Sequence, residues 1–325
     1  MISIVVPAFN EAVNLPRLYQ RLVAVMDRVE GEWELIIVDD HSSDGTFPIL
    51  EEMAQKDTHV RAYRFSRNFG SHTAIRCGLD HARGNSAVIL AADLQDPPEL
   101  IPELIAEWRK GNDVVWAVRN QRSGEKTSTV WFAQFYYFIM RKIVGITAMP
   151  LSGSDFFILD QKVFKNLMRF AERNASIFAL IAWMGFRQSV VSYNKEARAK
   201  GRSGWTLKKK LKLLMDSIAS FSFFPIHFMS CLGFIIAAIG FLYAILVIVN
   251  GLIGKPQQGW SSLMVVVLVV GGIQMLMMGL LGEYLWRSLD ETRQRPRYLI
   301  ERGTPDISDL TESSSKFRDL NSTKF

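Results

Sequence analysis

The sequence predicts an α/β domain on a doubly wound, mostly parallel sheet, joined to a C-terminal pair of membrane-spanning helices. Three observations predict it. Short apolar runs alternate with helical patterns up to about residue 120. Polar residues gather where those runs end. Two stretches nearer the C-terminus, Phe228–Gly254 and Gln257–Gly282, carry no charged side chain.

The predicted strands are Ile2–Val6, Trp33–Val38, Val60–Phe65, Ala87–Ala91 and Asp113–Ala117. They are apolar throughout rather than alternating, as parallel strands covered on both faces are. Helical spacing runs through Leu15–Val29, Thr46–Gln55, Ser71–His81 and Pro98–Lys110. Asn14 reads as the N-cap of the first helix, with Pro16 just inside its start. Such alternation builds an open parallel sheet, which binds ligands outside the carboxyl ends of its strands.

The strand ends are where the polar residues lie. Pro7, Asn10 and Glu11 follow the first strand; Asp39, Asp40, Ser42 and Asp44 follow the second. Ser66, Arg67 and Asn68 follow the third; Asp93, Gln95 and Asp96 follow the fourth, before Pro97 and Pro98. One such loop alone reads equally well as a cap and turn. Four in succession point at one crevice. The set at Asp93–Asp96 offers oxygen ligands of the kind a divalent cation on a diphosphate takes.

Each uncharged stretch is long enough to span a hydrocarbon core of ~30 Å; a pair of buried core helices is the alternative, and it favours shorter runs. The link from Lys255 to Trp260 makes a hairpin. Lys208, Lys209, Lys210 and Lys212 precede the hairpin, and Arg287, Arg293, Arg295 and Arg297 follow it. The link has only Lys255, so the positive-inside rule puts both flanks in the cytoplasm. Met1–Pro7 reads as a strand and not as a signal peptide. Cys77 and Cys231 are the only cysteines, and Cys231 falls in a predicted span. No disulfide is expected, which fits a reducing compartment.

The net charge of +6 is local, because Lys195–Lys212 alone holds eight basic residues against Glu196. Beside a membrane span, such a patch fits lipid phosphate or anionic headgroups. Nucleic acid is the weaker alternative and is not expected as a partner, since no stacking motif or DNA-reading helix accompanies the patch. In Trp205–Pro225, Leu207, Leu211, Leu214, Ile218 and Phe221 share one helical face. That pattern predicts an amphipathic helix on the membrane surface. Thr127–Gly145, with Trp131, Phe135, Arg141 and Lys142, reads as an interfacial helix or an aromatic core helix. The tail after Thr304 is polar and Ser/Thr-rich, and is expected to be disordered. The domain division is therefore 1–204, a juxtamembrane helix 205–226, two spans within 227–286, and a basic segment with tail 287–325.

Three segments carry a resemblance: Val5–Val6–Pro7–Ala8–Phe9–Asn10–Glu11, Val38–Asp39–Asp40–His41–Ser42–Ser43–Asp44–Gly45–Thr46, and Asp93–Leu94–Gln95–Asp96–Pro97–Pro98. In order and spacing they resemble inverting family-2 glycosyltransferases of the GT-A fold. With the hairpin and Arg202–Ser203–Gly204–Trp205, the chain looks like a polyprenyl-phosphate glycosyltransferase over roughly residues 1–300. It is similar to dolichol-phosphate mannose synthase and closer still to bacterial bactoprenol glucosyltransferases.

The resemblance implies transfer of one sugar from a nucleotide-sugar, UDP-glucose favoured, to polyprenyl (undecaprenyl) phosphate. The enzyme would be multi-pass in the cytoplasmic (inner) membrane, with both termini and the catalytic domain cytoplasmic and membrane lipid around it. Homo-oligomer formation through the hairpin stays open. Pro7, Ala8, Glu11 and Asp39 would hold base and ribose, with Arg67 and Asp93 completing the nucleotide site. Asp93, Gln95 and Asp96 would hold Mg²⁺ or Mn²⁺, Asp96 reading equally as a helix cap. Asp155 and Arg202 would be catalytic; Arg119, Arg122, Arg198, Lys200, Arg202 and Ser203 would bind the acceptor phosphate. A phosphate monoester is already largely dianionic near neutrality, its second pKa being about 6, so positioning outweighs general-base work at Asp155.

One position departs from the family pattern. Many relatives carry Asp-x-Asp where this chain has Ala91–Ala92–Asp93. Asp93 is thus left with more of the cation's charge. Two rival readings are a processive polysaccharide synthase and a membrane scaffold without catalysis. The first lacks its Gln-x-x-Arg-Trp motif here, and the second rests on Ala91 alone.

Overall fold

The computed structural model describes residues 1–119, 155–170, 172, 176–194, 224–253 and 259–304. They form two compact units, a sheet domain and a helical unit.

The sheet has eight strands in the order β7-β5-β6-β4-β1-β2-β3-β8. They are β1 (Ile2–Ala8), β2 (Trp33–Asp39), β3 (Val60–Phe65), β4 (Ser86–Ile89), β5 (Val114–Arg119), β6 (Phe157–Asp160), β7 (Gln188–Tyr193) and β8 (Ile300–Thr304). The first four are mutually parallel, and β5 and β7 pair in parallel. Two strands run the other way: β6 between β4 and β5, and β8 against β3. The expected α/β sheet, mostly parallel, is what the chain builds.

The helices of this unit are α1 (Leu15–Met26), α2 (Thr46–Lys56), α3 (Ser71–Asp80), α4 (Ile101–Arg109), α5 (Gln161–Arg169) and α6 (Ile177–Trp183). Leu15, Leu18, Leu22, Val25 and Met26 turn one face of α1 onto the core formed with Ile4, Val6, Leu35 and Ile37. Burying each such side chain stabilises the fold by about 1.5–3 kcal/mol. On α3, a Cβ at Gly78 would fall 2.2 Å from Val5 Cγ1, so α3 packs this close to β1 only because that residue is glycine.

Several predicted boundaries move for local reasons. The fourth strand ends at Ile89, and Leu90 keeps one ladder bond, its N–H donating to Val5 O at 3.1 Å. Pro98–Lys110 divides into a short 3₁₀ turn, Pro98–Leu100, and α4, with Pro102 at the start of α4 where no N–H is needed. Asn14 precedes α1 but its side chain does not cap it; its Nδ2 donates to Glu11 Oε2 at 2.6 Å. Three strands are absent from the sequence reading. β6 has four residues, β7 is only partly buried, and β8 is the polar Ile-Glu-Arg-Gly-Thr.

The helical unit holds α7 (Phe224–Leu252) and α8 (Trp260–Thr292). Among the described residues one stretch is long and apolar enough to cross a membrane, Val269–Thr292, and none of it is buried in protein. Phe228–Tyr243 is a shorter apolar run. Phe234, Phe241, Leu276 and Met278 are exposed, more apolar surface than a water-facing helix pair carries. Near the end of α8, Arg287 bonds Glu283 one turn back, and Arg293 lies over the Trp286 ring at 5.4 Å. Both cysteines are free thiols.

The predicted interfacial helix 127–145, the basic patch at 195–212, nearly all of the amphipathic helix and the tail lie outside the described residues.

Candidate active site

Strand direction decides what reaches the carboxyl edge of the sheet. Parallel strands bring their last residues there. The reversed β6 and β8 bring their first, so Asp155 just ahead of β6 and Glu301 near the start of β8 reach the same edge.

The loops after β1 and β2 are tied to each other. Asn10 N–H donates to Ser42 Oγ at 2.8 Å, Ser43 N–H to Asn10 Oδ1 at 2.9 Å, and Glu11 N–H to Thr46 Oγ1 at 3.0 Å. Thr46 N–H donates in turn to Asp44 Oδ1 at 3.0 Å. Pro7 and Glu11 are half-buried here and Ala8 is buried. Asn10 and His41 both have left-handed backbone, φ 57° and 62°. Leu94, between Asp93 and Gln95, is a third at φ 59°. Apart from glycines, only one other described residue, Gln294, has positive φ. Each costs about 1–2 kcal/mol, least for Asn and most for a residue such as Leu94, so this edge stores strain.

Asp39 ends β2 at 0% exposure. Its Oδ1 accepts from both the N–H and the hydroxyl of Ser42. Its Oδ2 makes no hydrogen bond and faces Arg64 Nη1 at 3.5 Å. Asp40 has a different task. Its carboxylate accepts from Phe69 N–H at 2.6 Å and Gly70 N–H at 2.9 Å, fixing the loop after β3. Burial pushes its pKa up to about 6 against the lowering effect of those two bonds. Arg67 is exposed on that loop and stacks over Phe69 at 4.1 Å.

After β4, Asp93 and Gln95 are half-buried, and Gln95 N–H donates to Asp93 Oδ1 at 3.2 Å. Asp96 is 1% exposed and accepts from the Tyr193 hydroxyl at the end of β7. Burial, then the Asp96 charge, pushes the Tyr193 hydroxyl pKa up, so it stays a donor. Arg119, ending β5, lies 3.7 Å from Asp155. Burial pulls the Arg119 guanidinium down, but Asp96, Tyr193 and Asp155 hold it above its ordinary value. Asp155 itself is 61% exposed. Asp96, Tyr193, Arg119 and Asp155 thus form one chain of charges and hydrogen bonds across β4, β5, β6 and β7.

The structure therefore brings together Pro7, Ala8, Glu11, Asp39 and Arg67 on one side, and Asp93, Gln95, Asp96, Arg119 and Asp155 on the other. Arg122, Arg198, Lys200, Arg202 and Ser203 lie outside the described residues. Tyr193, Arg64 and Glu301 were not legible as site residues. Tyr193 and Glu301 sit on strands the sequence does not announce, and Arg64 is one of two arginines inside a predicted strand.

Carboxylates and amides at the ends of parallel strands define the class first: an α/β enzyme that seats its ligand on the carboxyl edge of its sheet. The comparisons then fix the family. The model of glycosyl transferase family 2 matches residues 3–190. An uncharacterized glycosyltransferase of Bacillus subtilis (strain 168) is 40% identical over 92% of this chain and 93% of its own. The bactoprenol glucosyl transferase of Shigella phage SfII is 35% identical over 94% of this chain and 99% of its own. A crystal structure of glucosyl-3-phosphoglycerate synthase from Mycobacterium tuberculosis aligns over 68% of this chain and 80% of its own, with a TM-score of 0.47 and 17% identity. The chain belongs to glycosyl transferase family 2, and it is a glycosyltransferase.

Proposed function

We propose that the chain moves a single sugar from a nucleotide-sugar to a polyprenyl phosphate, with inversion at the anomeric carbon, at the cytoplasmic face of the inner membrane. The observation that carries this reading is the meeting, at one sheet edge, of the Asp93–Gln95 oxygen set with Arg119 and Asp155. Glucose and a bactoprenol-type acceptor are supported by relatives so named, 35% identical over 93% and 94% of this chain. A uridine diphosphate carrier follows from the family analogy.

In this reading the bond from the anomeric carbon to the donor's β-phosphate oxygen breaks. A bond to an acceptor phosphate oxygen forms on the opposite face, and the nucleoside diphosphate leaves. Pro7, Ala8, Glu11, Asp39 and Arg67 hold the nucleotide. Arg119 and, outside the described residues, Arg122, Arg198, Lys200, Arg202 and Ser203 bind the acceptor phosphate as guanidinium and ammonium donors do. Asp155 orients that phosphate or takes its residual proton.

Among the described residues no cluster of three or more His, Cys, Asp or Glu side chains could hold a metal. The donor set instead fits Mg²⁺ or Mn²⁺ arriving with the diphosphate, held by Asp93 and Gln95 and otherwise by phosphate and water. When bound, the ion offsets charge gathering on the leaving diphosphate. Asp96, bonded to Tyr193, belongs to the Arg119 network rather than to that set.

For the membrane part, α7 and α8 form a two-span hairpin with both flanks cytoplasmic. Val269–Thr292 and the Lys/Arg bias outside the link support it. The test is to incubate membranes holding the protein with polyprenyl phosphate and a panel of labelled nucleotide-sugars, with and without chelator. Lipid-soluble label from one donor, one sugar per lipid, lost with chelator, is the expected result. A polymeric product would favour a processive synthase, and no labelled lipid from any donor a scaffold.

A further inference from the structure

Glycosyl transferase family 2 matches residues 3–190, yet one carboxylate at this edge comes from more than a hundred positions later in the chain. It is Glu301 on β8. Because β8 runs antiparallel to β3, its early residues stand beside the end of β3. β8 is fixed there by Ser66 N–H donating to Leu299 O at 2.9 Å, Ala62 N–H donating to Thr304 Oγ1 at 3.0 Å, and the Tyr298 hydroxyl donating to Asp80 Oδ2 at 2.8 Å.

Arg64 connects Glu301 to Asp39. Its Nε donates to Glu301 Oε2 at 3.1 Å, and its Nη2 donates to the Ser42 carbonyl at 3.2 Å. Its Nη1 stops 3.5 Å from Asp39 Oδ2, an oxygen that makes no hydrogen bond. Two carboxylates therefore share one guanidinium, and Glu301 has its well-formed bond. A buried carboxylate oxygen left without a hydrogen bond is costly unless something arrives to donate to it.

We infer that Glu301 is a positioning residue for donor binding. It holds Arg64 3.5 Å from Asp39, short of a hydrogen bond, and so leaves the enclosed Asp39 Oδ2 with an acceptor site that an N–H or O–H of the nucleoside can fill. Without the Glu301 charge, Arg64 closes from 3.5 Å to hydrogen-bonding distance of Asp39, and the acceptor oxygen is taken. Glu301 touches no reacting atom, so the effect falls on donor binding and leaves the chemical step alone. The inference rests on the reading of Asp39 as a nucleotide-binding residue.

The experiment is a donor titration on the full-length membrane protein with Glu301→Gln, which keeps the hydrogen-bonding oxygen and removes the charge. Donor KM should rise about fivefold, the size expected for weakening one hydrogen bond, with kcat and acceptor KM within about twofold. In an Asp39→Asn background the same substitution should change donor KM no further. Thr304→Val, which loosens β8 without touching the charge, should lower the melting temperature and leave donor KM unchanged. An unchanged donor KM in Glu301→Gln overturns the inference, as does an effect equal to that of Thr304→Val. If instead Asp39→Asn itself binds donor normally, the reading of Asp39 has failed, and the inference fails with it.

Discussion

The parallel strands and the two reversed strands contribute to this edge in opposite ways. β1, β2 and β3 deliver loops that are stitched to each other by hydrogen bonds: Asn10 to Ser42, Glu11 to Thr46, Asp40 to Phe69 and Gly70. β6 and β8 deliver single carboxylates, Asp155 and Glu301, each beside an arginine of the adjacent antiparallel strand, Arg119 on β5 and Arg64 on β3. The difference teaches that the side proposed to hold the nucleotide is held by backbone geometry, whereas the reversed strands add charge at chosen points. The first is costly to disturb anywhere. The second is tunable one residue at a time.

The largest expected effect is on the parallel side. Asp93→Ala should reduce turnover by about a thousandfold or more, because no second carboxylate precedes it at Ala91. A transfer assay across a metal series reads it. Near-normal turnover that still requires metal would remove Asp93 from the ligand set.

A smaller effect sharpens the reversed side. Tyr193→Phe keeps the ring against Phe156, 6.2 Å between centroids, and deletes only the hydroxyl on Asp96. The expected result is a kcat about tenfold lower, from looser placement of Arg119 and Asp155, with an unchanged metal titration midpoint. If Tyr193→Phe moves that midpoint instead, Asp96 acts with the metal and the two sides are not separate. Asp155→Asn belongs to the same test: a loss of only a few-fold in kcat would end the proton-accepting role and leave orientation.

The smallest effect is one of stability. Burial raises the Asp40 carboxyl from the ordinary value of 3.8 to about 6. A raised carboxyl contributes stability that is full below its unfolded pKa and lost as pH rises through its folded one. The window is therefore about pH 4 to 6. In Asp40→Asn the stability difference between about pH 4 and pH 7 should shrink by roughly 1–3 kcal/mol. Denaturant melts of the detergent-solubilised protein at the two pH values measure it; an identical difference in both proteins would show that Asp40 is charged throughout.

What the sequence shows of this molecule follows the same division. The parallel strands are long apolar runs with polar ends, so β1 to β5 and their loops can be read from residue type alone. β6 has four residues, β7 alternates weakly, and β8 carries Glu301 and Arg302 where a buried strand would be apolar. Nothing local marks them as strands, because what makes them pair is a neighbour far away in the chain. Tyr193 and Glu301 were hidden for that reason. The left-handed backbone at Leu94 was hidden too, since leucine is a residue that normally avoids it and only the folded loop imposes it. Asn14 does take the N-cap position ahead of Pro16, as its residue type suggests, but its side chain bonds Glu11, three positions before it, and not the N–H groups of α1.

β8 has a consequence for how the chain behaves when cut. β3 buries Val60, Ala62, Tyr63 and Phe65 alongside Arg61 and the partly buried Arg64, and β8 is what covers its outer side. β8 itself is short and presents Glu301 and Arg302, the features by which proteins blunt a sheet edge. A fragment ending before residue 300 would leave β3 as a bare, flat rim of unpaired peptide groups. Such fragments should pair rim to rim and precipitate, so a soluble catalytic fragment needs the β8 sequence grafted back, even though it lies beyond α7 and α8 in the chain.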